Sequence, residues 1–146
     1  MKVLLFLADY AQADPGTGKV HALGIGWHQT VTPTPPGAVV ALIDVDWHET
    51  NVRFDFRLEL LDSDGASVLV PGPAGLNPII IEGVLEAGRP PGTTEGTPIS
   101  MPLTVNLSAG LPLPLGRYEW RLSIGDDFTE SVFFAVIGQV PVGPPR

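Results

Sequence analysis

Three side chains capable of metal chemistry fall in a row at Asp44-Val45-Asp46-Trp47-His48. Strand alternation would place both carboxylates and the imidazole on one face, with Ile43, Val45 and Trp47 on the other. With His21 or His28 from a neighbouring strand, such a set could hold a divalent cation and make the chain a metal-dependent enzyme. Spacing opposes this, because same-face neighbours on a strand lie about 6.6–7 Å apart and one ion would need their side chains to converge. A simpler reading turns Asp44 and Asp46 to solvent, opposite Arg53 and Arg57 in a hairpin bending at Glu49 to Asn51. Cross-strand pairs of that kind contribute about 0.2–1 kcal/mol each. The expectation is a charge ladder rather than a metal centre, with no cofactor.

Other chemistry-bearing patterns resolve into turns. Gly16-Thr17-Gly18-Lys19 imitates a phosphate loop, but Ala13 and Val20 stand where that loop needs Gly and Ser/Thr. Asp62-Ser63-Asp64-Gly65 begins like a calcium loop without its downstream bidentate Glu. Gly24-Ile25-Gly26 has Gln29 where a dinucleotide fingerprint has its third Gly. Read as lying inside a strand, Gly24 and Gly26 mark a bulge or the close approach of another backbone, including another subunit's. With Trp27 and Pro102 they form the candidate interface residues. The chain has no cysteine, which removes disulfides, thiolate catalysis and Cys-based zinc sites. No Ser sits in a Gly-x-Ser-x-Gly turn, and Asp126-Asp127 are adjacent in a turn and point apart, so no catalytic residue is assigned. Trp27, Trp47 and Trp120 could build a sugar-stacking platform, although alternation puts Trp47 and Trp120 on apolar faces, where they read as core.

The elements that must position these groups are strands. The 146 residues include 17 Gly and 16 Pro, a density that breaks helices, while the length suits one domain. Val52 to Leu60, Ile99 to Leu107 and Tyr118 to Ile124 alternate apolar with polar, each a strand with one wet face. Pro102 cannot donate to a ladder and places its strand at an edge. Val3 to Ala8 is continuously apolar and reads as a strand buried on both faces near the middle of a sheet. Asp14-Pro15-Gly16, Thr34-Pro35-Pro36-Gly37 and Asp62-Ser63-Asp64-Gly65 supply corners. The expected fold is all-β: a single-domain antiparallel β-sandwich of about eight strands spanning residues 1–138, with a proline-rich tail at 139–146. The closing pair, Gly116 to Ile124 and Phe128 to Ile137, looks like the last hairpin of an immunoglobulin-like sandwich.

The formal net charge of −8 and scattered basic residues exclude nucleic-acid and anionic-membrane partners, which need clustered Lys/Arg. Only 16% of residues are charged and mean hydropathy is +0.23, so apolar surface is either exposed or covered by a partner. The apolar start is too short for a secretion signal, and no segment approaches a membrane span, which makes the cytoplasm the expected location.

Leu5-Phe6-Leu7-Ala8-Asp9-Tyr10-Ala11, then Gly18-Lys19-Val20 and Leu23-Gly24-Ile25-Gly26-Trp27, resemble an uncharacterised bacterial family of actinobacterial type. Leu60-Leu61-Asp62-Ser63-Asp64-Gly65 and Pro114-Leu115-Gly116-Arg117-Tyr118 extend the resemblance over most of the chain. It implies a single-domain β-sandwich and carries no activity. The function expected is a non-enzymatic protein acting through protein–protein contacts as a homo-oligomer. A ligand- or carbohydrate-binding module and a metal-dependent enzyme stand as alternatives.

Overall fold

The computed structural model describes residues 1–139. Its strands are β1 (Lys2–Ala8), β2 (Tyr10–Asp14), β3 (Lys19–Leu23), β4 (Gln29–Thr32), β5 (Gly37–Val45) and β6 (Arg53–Asp62). They continue as β7 (Leu69–Gly72), β8 (Gly75–Pro78), β9 (Ile80–Glu86), β10 (Ile99–Leu107), β11 (Gly116–Ile124) and β12 (Phe128–Gln139). Eight of them form two facing sheets, ordered β1-β5-β10 and β4-β12-β11-β6-β9. The other four form two ribbons, β2-β3 and β7-β8. The proline-rich tail expected at 139–146 lies outside the described residues from 140 onward, and β12 runs to Gln139.

Alternation builds the core. Leu7, Val39, Ala41 and Ile43 from one sheet meet Leu58, Leu60, Trp120, Leu122 and Ile124 from the other. The intervening polar residues of β6 and β11 face outward, as a period of two requires. The order matches an immunoglobulin-like arrangement, with strands A-B-E facing G-F-C-C′. A tyrosine corner supports that match: Tyr118, near the start of β11, donates its hydroxyl to the Pro114 carbonyl at 2.6 Å and stacks on Phe134. At one edge the chain departs from antiparallel pairing, since β4 runs parallel to β12.

Three local expectations are corrected. Val3–Ala8 is not central: β1 is a sheet edge, and Leu4 is 60% exposed. The strand buried on both faces is β5, because the β2-β3 ribbon folds over its outer side and forms a small second core of Ala8, Ala11, Ala38 and Val40. Asn106 fastens that ribbon, accepting the Ala11 N–H at 3.1 Å and donating to the Ala11 carbonyl at 2.7 Å. Next, β5 and β6 form an arch between sheets and not a hairpin, so no ladder joins Asp44 and Asp46 to Arg53 and Arg57. The chain crosses over through a single 3-10 turn at Trp47–Glu49 and a left-handed Asn51. Finally, Gly24 and Gly26 lie outside any strand. Chain β3 ends at Leu23, and both glycines take positive φ, 65° and 91°, in the turn that follows. Pro102 does lie on an edge strand, β10.

Candidate functional site

The strand that carries Asp44 ends at Val45, and Asp46 becomes the residue that starts the 3-10 turn. Two-residue alternation therefore stops between the expected ligands. Asp44 turns away and accepts a hydrogen bond from the Ser100 hydroxyl at 3.2 Å. Asp46 and His48 instead gather with Glu49, their ligand atoms within 4.8 Å of one another. Sequence spacing missed Glu49 because it becomes a neighbour only through the turn. His21 and His28 are not part of this group. The Met1 ammonium sits between the carboxylates, donating to Asp46 at 2.9 Å and to Glu49 at 3.0 Å. These two hydrogen bonds hold the amine above its ordinary range, and the amine in turn holds the Asp46 carboxyl below its own. Two of the three members of this group thus hold the Met1 ammonium between them.

The tryptophans do not form a platform. Trp120 is buried at the centre of the core. Trp27 is half-buried, donates its indole N–H to the Ala8 carbonyl at 2.8 Å, and meets Phe134 edge-on. Both line an apolar cavity of about 30 Å³ at one end of the sandwich, the scale of a water molecule and far below a sugar. Trp47, expected in the core, is half-buried in the 3-10 turn instead. The Arg89 guanidinium lies 3.9 Å over its ring and donates to its carbonyl at 2.8 Å. That cation–π contact closes one aromatic face to any ligand.

Exposed apolar side chains carried on ordered backbone are the stronger surface feature. Gly24 and Gly26 present Ile25, 61% exposed, beside Leu23, and the Gly26 N–H donates to the Leu7 carbonyl to fix the turn. Of the expected interface set, Trp27 points inward, while Pro102 lines an open groove of about 600 Å³ with Leu4, Leu42 and His21. One further apolar feature was not read from the sequence. In the β7-β8 ribbon Leu69 pairs with Pro78 and Pro71 with Leu76, so all four share one face, and all four are exposed. The available signal was the run from Gly65 to Ile81, which contains no charged residue.

No curated protein matches the chain. Its residues 3–137, nearly the whole of the described structure, match a family of unknown function, DUF6941, and the chain belongs to that family.

Proposed function

We propose that the protein is a non-enzymatic β-sandwich that works through protein–protein contacts, as a self-associating structural or assembly subunit; a cytoplasmic setting goes with this reading. The observation that carries it is the β7-β8 ribbon, whose one face sets Leu69, Pro71, Leu76 and Pro78 in solvent without a charge. Loops expose apolar residues singly, but a hydrogen-bonded ribbon holds four of them in a fixed row, the form in which apolar surface recognises a partner. The carboxylate pair engaged by the Met1 amine and the covered tryptophans favour this reading over a metal enzyme or a sugar-binding module.

Light scattering coupled to size-exclusion chromatography at micromolar concentration tests it. The expected mass is at least twice that of one chain. A single-chain mass across the micromolar range would overturn the proposal.

A further inference from the structure

Among the described residues, the end strands β10, β9 and β4 carry devices that discourage pairing, and the Phe128–Phe134 half of β12 that β4 does not reach carries the charge of Glu130. The β10 edge contains Pro102 and follows Pro98. The β9 edge bears Glu82 and Glu86 around Gly83. The β4 edge is four residues long and runs into Pro33, Pro35 and Pro36. Prolines, charges and shortness are the usual protections of a sheet edge. The β1 edge has the least of this: seven residues, Lys-Val-Leu-Leu-Phe-Leu-Ala, with no Pro, no Gly and a single charge, Lys2, at its first position.

The backbone of β1 also faces the right way. The Leu7 carbonyl accepts the Gly26 N–H at 2.7 Å on the side away from β5. By the two-residue period of an antiparallel ladder, Leu5 and Val3 turn their N–H and C=O groups to that same side. Strand β12 of the facing sheet runs beside β1 without joining its ladder.

We propose that this edge pairs with the same edge of a second copy, antiparallel about a two-fold axis at Leu4, joining two three-stranded sheets into one. The proposal rests on the self-association inferred above and adds a second contact surface to the β7-β8 ribbon. In this register Val3 of each copy forms a hydrogen-bonded pair with Leu5 of the other. The Leu4 side chains, 60% exposed in one chain, stand directly opposite each other at the non-hydrogen-bonded position. Each Lys2 falls opposite Phe6 of the other copy on the same face, a cation against an aromatic ring. A single surface satisfies itself, as an isologous dimer requires. No acid occurs from Met1 to Ala8, so the repulsion of two chains of net charge −8 is weakest along this line.

The chain contains no cysteine, so Leu4→Cys supplies one thiol per chain at the axis. Opposed residues at a non-hydrogen-bonded position lie within disulfide reach. Mild oxidation at a concentration where the wild type is associated is expected to convert most of this variant to a covalent dimer on a non-reducing gel. Leu115→Cys, at an equally exposed position elsewhere, is expected to cross-link only by collision. Leu4→Lys, which sets like charges opposite each other, is expected to lower the light-scattering mass while leaving the circular dichroism unchanged. If the wild type is associated but Leu4→Cys cross-links no better than Leu115→Cys, the β1 pairing is overturned and self-association stands. If the wild type is a single chain, both fall.

Discussion

At Tyr118 one hydroxyl ties the start of β11 to the corner before it, through the 2.6 Å bond to the Pro114 carbonyl. Tyr118→Phe keeps the stacking on Phe134 and removes only that bond. Chemical denaturation should therefore show a loss of about 1 kcal/mol. Burial, with the nearby Asp62 charge, raises the phenol above its ordinary value of 10.0, so its contribution is complete below that pH and lost on stronger alkalinity. The Met1 amine gives the second residue-scale prediction. Its folded value lies above the ordinary 8.0, because Asp46 and Glu49 accept hydrogen bonds from the protonated amine. The amine's stabilisation is thus complete below pH 8.0 and disappears as pH rises through the folded value. Asp46 acts in the opposite sense: its lowered value makes its contribution present above pH 3.8 and lost in stronger acid. Melting temperatures of the wild type and Asp46→Asn should converge as pH climbs above 8.0. Parallel curves across that range would show that the amine does not depend on Asp46.

Among the elements, β2-β3 is held to the sheet by one side chain more than by its own length. Asn106→Ala leaves both the N–H and the carbonyl of Ala11 without their partner, and two such bonds are worth about 2 kcal/mol together. Hydrogen exchange should accelerate through Tyr10–Leu23 before it does so in β11 or β12. In β9, Gly83 lies opposite Phe56, and a Cβ there would stand 2.6–2.8 Å from ring carbons. Gly83→Ala must displace that ring, which predicts a loss of about 1–3 kcal/mol by denaturation. These positions show what the sequence could and could not convey. The alternation in β6, β10 and β11 was legible because one face of each is wetter than the other. The partner of each strand was not legible, because the arch at Trp47–Asn51 uses the same residue types as a hairpin turn. The apolar run of β1 suggested burial on both sides. In fact Val3, Leu5 and Leu7 serve the main core, Phe6 and Ala8 serve the second, and Leu4 serves neither. The β7-β8 ribbon was hidden because its Pro and Gly residues read as loop. In the candidate metal cluster, Asp46 and His48 were visible and Glu49 was not, since strand spacing cannot foresee a helical turn.

For the whole molecule, two unrelated contact surfaces have a consequence for assembly size. A two-fold contact at β1 closes after two chains, whereas the β7-β8 ribbon docks on some other surface and can extend the assembly further. Leu69→Lys combined with Leu76→Lys is therefore expected to trim the wild-type mass toward a dimer and leave Leu4→Cys cross-linking intact. The charge of −8 makes neighbouring subunits repel. Association should then strengthen as salt rises from about 20 mM to about 500 mM, the range over which the Debye length shrinks to a few ångströms. An interface of ion pairs would respond in the opposite direction.

The parallel pairing of β4 with β12 also sets a timetable. Gln29–Thr32 leaves the ribosome about 100 residues before its partner Ala135–Gln139, roughly 5–20 s earlier at ordinary elongation rates. Over that interval Trp27 lacks Phe134, the ring it rests on in the finished fold. The nascent chain must carry an open sheet edge and an uncovered tryptophan until β12 has emerged, so chaperone capture during translation should concentrate on the segment around Trp27.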